Sequence, residues 1–177
     1  MKTVEIARTQ IGVAEATGNN DGVPAERYNR GEKVPWCSSF ILYCNDASTD
    51  RKIVKTPAAW WLLRSVQTLE DELRAAGWWF SQQALLLPAS NDIVFFANRG
   101  GSDVGPHSGG RHVGIIDSVQ ASSKQLPLPG VAVSTSSLPV LHTIEGNLGN
   151  AVATVRHDLK DPAVRARITG YARIPTA

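Results

Sequence analysis

The feature that most constrains this fold is a change of hydrophobic period near the middle of the chain. Before it, apolar residues recur at helical spacing and predict helices near residues 2 to 14, 36 to 46 and 57 to 75. The polar loop ATGNNDG and a short segment around Pro24 to Tyr28 separate them. After it come DIVFFA (92 to 97), HVGIIDSV (112 to 119), VLHTIEGN (140 to 147), AVATVRHD (151 to 158) and ITGYARI (168 to 174). These runs are short, rich in β-branched and aromatic residues, and bounded by Gly, Asn, Asp or Pro, as strands are. Helices first and strands last is the order of an α+β domain with a segregated antiparallel sheet. No segment repeats. The stretches NRGGSDVGPHSGGR and ASSKQLPLPGVAVSTSSLP are polar and turn-forming and read as surface loops.

Length and charge narrow the choice further. At 177 residues the chain suits a single domain, 1–177, able to bury a core without covalent staples. A hydrophobic content of 42% argues against disorder, and no apolar run approaches the roughly 20 residues that span a membrane. The net charge is +2, with Lys and Arg scattered, which gives no reason to expect nucleic acid. The N-terminal run MKTVEIARTQIGVAEA reads as an amphipathic helix with Val4, Ile6, Ala7 and Ile11 inward, without the apolar stretch and cleavage site of a signal peptide. Synthesis in the cytoplasm is therefore expected. A target outside it would be reached through another system, or these residues belong to a longer precursor.

Two cysteines are too few for a disulfide framework. On one helix, Cys37 and Cys44 would be separated by a rise of about 10.5 Å, at about 1.5 Å per residue, too far for a disulfide. Both are expected to be free thiols, with Cys44 in the core. Cys37 differs because the run PWCSSF places it at the first turn of the second long helix. Pro35 suits a helix start. The N–H groups there lack internal partners and carry the positive end of the macrodipole, which favours a thiolate. A buried cysteine is by itself more often a small hydrophobe than a nucleophile, so the strands must supply the rest.

Residues two apart on a strand share a face. Thr143, Glu145 and Asn147 therefore point one way, and His142 and Ile144 the other. His112 shares its face with Gly114 and Ile116, whereas Asp117 faces away and is a poor partner for it. A cysteine at a helix start, a histidine opening a strand and a Glu-Gly-Asn ending the next make the inventory of a cysteine hydrolase. An EGN run is also an ordinary passage from strand to turn.

These pieces, PWCSSF, NDIVFF, HVGIIDSV, IEGN and ITGYARI, occur in an order that resembles a CHAP domain. CHAP domains are the cysteine, histidine-dependent amidohydrolase/peptidase group among the papain-like and NlpC-type peptidoglycan hydrolases. The likeness extends from about Ile6 to Ile174. Family members usually have Gly-Asp where this chain has Asn91 and Asp92, and Gly where it has Arg111. The resemblance implies a papain-like fold, with N-terminal helices on a five- to six-stranded antiparallel sheet. It also implies an enzyme that cleaves an amide bond of bacterial peptidoglycan, as an N-acetylmuramoyl-L-alanine amidase or a stem or cross-bridge endopeptidase. A phage-type lysin and an antibacterial toxin both fit such an activity, and a toxin would have an immunity protein as partner.

In that reading Cys37 is the nucleophile, His112 the base and then the acid, and Glu145 the group that orients the imidazole. Asn147 is the second candidate for orienting it, or a substrate contact. N–H groups of Cys37 or Ser38 would receive the oxyanion. Trp36 and Arg111 are the side chains expected nearest the substrate. Trp60, Trp61, Trp78 and Trp79 are expected in the core. No cofactor is expected. Calcium at GNNDG is a weak alternative, because that run has a single carboxylate, Asp21. His107 and His112 with Cys37 lack the spacing of a zinc motif. Two rival classes are a thiol acyltransferase on the same fold and a wall-binding module without turnover.

Overall fold

A computed structural model describes residues 1–54, 63–82, 84, 86–97, 110–120 and 138–176. Along the chain come α1 (Thr3–Thr9), α2 (Val23–Tyr28), α3 (Cys37–Ala47), α4 (Val66–Ala75), β1 (Trp79–Phe80), β2 (Ile93–Phe96), β3 (His112–Gln120), β4 (Val140–Leu148), β5 (Ala151–Asp158), α5 (Pro162–Arg167) and β6 (Ile168–Ala172). The fold is α+β. Among the described residues six strands form one antiparallel sheet in the order β1-β6-β2-β3-β4-β5. Among the described residues no helix is long and apolar enough to cross a membrane.

Four elements depart from the sequence reading. α1 stops at Thr9, short of residue 14, because Gly12 takes φ +89° and the chain turns out along the sheet edge. There Gly12 N–H donates to Val152 O (2.9 Å) and Val152 N–H to Val13 O (2.8 Å). Ile11, expected inward, is consequently 46% exposed, while Val4, Ile6 and Ala7 are buried. α4 begins at Val66 behind Ser65, whose Oγ accepts from the Thr68 N–H at 3.0 Å. The earlier part of the expected helix, with Trp60 and Trp61, lies outside the described residues, as do 98–109 and 121–137 of the two expected loops. β1 and α5 are additions: two residues are too few to show a period, and α5 occupies six residues behind the Asp161 cap.

The sheet buries both faces. Val4, Phe40, Ile41, Leu69, Ile93, Phe95, Val113, Ile115 and Ile144 belong to one apolar cluster joining the helices to the sheet. Val94, Phe96, Ile116, Leu141, Leu159, Ile168 and Tyr171 form a second cluster, with Val164 of α5 packed against it. Alternate residues along β2 and β3 thus enter different clusters, as a period of two requires. β4 and β5 are joined by Gly149 and Asn150, at φ +55° and +65°, the left-handed pair that suits a tight hairpin. Asn91, just before β2, also takes a positive φ (+78°), which asparagine tolerates better than most side chains. Its Oδ1 accepts from Val4 N–H (2.8 Å) and its Nδ2 donates to Asp50 (2.9 Å), tying α1 to the sheet.

α3 packs directly on β4 at Gly146, where an added Cβ would lie 2.6 Å from the Phe40 Cβ. Since both are held by a close-packed core, neither can retreat cheaply. Gly146→Ala is expected to lower unfolding free energy by about 1–3 kcal/mol, as overpacking does. Urea denaturation measures this, and an unchanged midpoint would mean that the helix and strand are less tightly apposed.

Candidate active site

Three chemically distinct side chains meet where α3 and β3 begin. Cys37 is the first residue of α3, with Trp36 as the N-cap. Among the described residues no side chain caps this helix start, so its first-turn N–H groups keep their positive field. His112 is the first residue of β3 and is 3% exposed. Its ring interacts with the Cys37 side chain closely enough for its pKa to be shifted by it, and its Nε2 lies 2.9 Å from Glu145 Oε2. With Nε2 committed to the carboxylate, Nδ1 is the nitrogen left to serve the thiol.

Glu145 has no exposed surface at all. A carboxylate cut off from water must be compensated by donors. Besides His112, Thr143 Oγ1 donates to its Oε1 at 2.6 Å, and His157 Nε2 lies 2.7 Å from the same oxygen. Room for this side chain is made by Gly114 on β3, where a Cβ would come within 2.7 Å of Glu145 Cγ. Burial alone would depress the pKa of His112. Hydrogen bonds to Cys37 and Glu145, and the charges of both groups, outweigh it and raise the pKa to about 9. Near neutral pH the imidazolium is therefore the favoured form.

The other sequence candidates separate. Asn147 does not join His112, because a bulge between Glu145 and Leu148 breaks the alternation and Asn147 takes φ +59°. Its amide lies 3.2 Å from Asn20 Oδ1. The orientation that satisfies its other neighbours donates to Glu15 Oε1 and accepts from the Trp36 N–H, both at 3.2 Å. Trp36, expected beside the substrate, has no exposed surface. It packs on Tyr28 with centroids 5.3 Å apart, and its Nε1 donates to Glu15 at 2.7 Å. Trp36 therefore anchors the helix start as a core residue. Ser38 is also buried, and its Oγ donates to Leu63 O at 2.7 Å.

Arg111 pairs with Glu70 of α4 (2.9 Å), which also holds Arg74 (2.6 Å). It braces the chain just before His112. Asp117 pairs with Arg8 at 2.6 Å, consistent with its facing away from the histidine. Cys37 and Cys44 are both free, and burial pushes the Cys44 thiol up. Trp78 and Trp79 pack on the core, with the Arg74 guanidinium over the Trp79 ring. Asp21 is occupied by the N–H groups of Ala16 and Thr17 and by the Thr17 hydroxyl. His107 lies outside the described residues. Among the described residues no group of three or more His, Cys, Asp or Glu could hold a metal ion. A cleft of about 560 Å³ opens elsewhere, beside Lys52, Glu72 and Trp78, and shares no residue with this constellation.

Sequence reasoning missed His157 and the donor role of Thr143. The signal for both was present in the alternation, since Thr143 precedes Glu145 by two, and β4 pairs Leu141 with His157. Comparisons with protein-family models, curated proteins and solved structures find no match for this chain.

A pH dependence follows. Since the pKa of His112 is raised above 6.5 in the fold, its protonation contributes stability fully below about 6.5 and loses it as the pH rises through about 9. Urea unfolding is expected to show stability declining across that window, with a smaller decline in Glu145→Gln. A wild-type profile flat from neutral to alkaline pH would contradict the assignment.

Proposed function

We propose that this chain is a cysteine hydrolase of the CHAP type, cleaving an amide bond in the peptide part of bacterial peptidoglycan. The observation that carries the proposal is the grouping of Cys37, at the start of a helix whose N-cap side chain makes no capping bond, with His112, which interacts with it and is hydrogen-bonded to the buried Glu145. A thiol, a base and a buried orienting acid in this order form the working parts of acyl transfer. The order of elements supports the papain-like assignment: the cysteine opens a helix that packs on an antiparallel sheet, and the histidine opens a strand of it. Asn91 adds to this, because its positive φ is a conformation suited to the glycine usual at that place in the family.

The chemistry follows from the geometry. Sγ of Cys37 bonds to the amide carbonyl carbon, and the oxyanion is received by N–H groups of the first turn of α3. His112 delivers its proton to the departing nitrogen as the C–N bond breaks, leaving a thioester. Water then attacks that carbon, His112 takes a proton from it, and the C–S bond breaks to release the acid and return the Cys37 thiolate beside the protonated His112. Glu145 holds the ring through both steps. The bond is that of an N-acetylmuramoyl-L-alanine amidase or of a stem or cross-bridge endopeptidase. The pI of about 8.7 suits an anionic wall polymer, and action on the wall places the enzyme outside the cytoplasm as a lysin or a delivered toxin.

Mass spectrometry of fragments released from purified Gram-negative and Gram-positive sacculi under reducing conditions tests this, with and without calcium. The wild type is expected to release fragments whose masses name the bond. Cys37→Ala should release none, and His112→Ala should be slower by at least about a hundredfold. No release from either cell-wall type, with Cys37 still readily alkylated, would favour a thiol acyltransferase. An unreactive Cys37 would favour a binding module without turnover.

A further inference from the structure

His157 is a buried polar side chain in apolar surroundings, 5% exposed, and the chemistry described above does not use it. Its cross-strand partner is Leu141, and Phe96 lies against its ring with centroids 4.9 Å apart. A leucine or phenylalanine would fill such a place at less desolvation cost. The ring does have one specific polar contact, 2.7 Å from Nε2 to Glu145 Oε1, while the other oxygen of the same carboxylate meets His112 at 2.9 Å. Phe96 also stacks against His112, with centroids 6.1 Å apart, so one aromatic ring braces both imidazoles.

We propose that His157 is a positioning residue: its Nε2–H holds the Glu145 carboxylate in the orientation that presents Oε2 to His112. The unit that serves Cys37 is then His112–Glu145–His157, spread over β3, β4 and β5. In this arrangement an ionised Glu145 accepts from both imidazoles, with a proton on each facing ring nitrogen. Thr143 supplies the remaining named donor to Oε1, and Gly114 leaves the space in which the carboxylate lies. Without the His157 donor the carboxylate can turn about its last torsion, and its grip on His112 loosens. The inference rests on the cysteine hydrolase reading for its purpose and on the buried contacts for its geometry.

Nitrogen-15 NMR of the imidazoles in the intact protein, followed over pH, is the test. In the wild type, His157 is expected to carry its proton on Nε2 at neutral pH. In His157→Phe, which keeps the volume and removes the donor, the His112 pKa is expected to fall by roughly one unit, a tenfold change in its protonation constant. Fragment release should slow about as much through kcat, with KM unchanged. His157→Gln, whose amide nitrogen reaches the same oxygen, should restore most of both. A folded His157→Phe with the His112 pKa unchanged or raised would overturn the proposal, as would a glutamine variant no better than phenylalanine. If His157→Phe does not fold, a wild-type His157 with its proton on Nδ1 alone overturns it. Both NMR readings are made without substrate, so failure of the hydrolase reading would appear separately, as absent fragment release by a wild type whose imidazole contacts are intact.

Discussion

A negative charge with no exposed surface, on Glu145, is the constraint around which the candidate site is organised. Leaving such a carboxylate without its partners costs about 3–5 kcal/mol, a large part of the stability of a domain this size. The fold meets that cost with donors from three adjacent strands: His112 on β3, Thr143 beside it on β4 and His157 on β5. Strand register and the geometry of the candidate site are therefore one requirement. A slip of one residue in either pairing would turn a donor to the opposite face and strand the charge.

Small residues at two places let this arrangement close on Cys37. Gly114 leaves the volume through which Glu145 crosses toward His112, and Gly146 lets β4 approach Phe40 on α3. The start of the helix is held from its other side. Trp36 is locked against Tyr28 and bonded to Glu15, and Asn147 faces its backbone N–H from the bulge in β4. Cys37 thus stands on a first turn fixed by packing, next to a histidine fixed by hydrogen bonds. Preorganisation of this kind makes a modest set of side chains effective, because their geometry is set before any ligand arrives.

The sequence was most legible where a single local rule applied. Period-two runs located β2 to β6 to within a residue or two, and Pro35 with the apolar spacing after it located α3. Legibility failed where a local rule was interrupted. Gly12 ended α1 early and turned Ile11 outward. The bulge at Gly146 and Asn147 removed Asn147 from the face it shares with Glu145 under strict alternation. Trp36, read from its neighbour as a substrate contact, is taken into the core by Tyr28, a residue eight positions earlier that no periodicity connects to it.

By itself the sequence determined the order of the longer helices and strands, the strand faces up to the bulge in β4, the helix-start cysteine, and His112 with Glu145 and Asn147 as its candidate partners. These depend on periodicity and on the chemistry of short runs, which act over a few residues. Only the tertiary structure decided that Glu145 rather than Asn147 meets His112, that Arg111 turns to Glu70, and that His157 stands behind the carboxylate. Each of those contacts joins residues on different elements, and its partner is chosen by strand register, a bulge and the packing of a helix on a sheet. Such choices are made by the whole chain at once, because a buried charge is satisfied only where all of its neighbours arrive together.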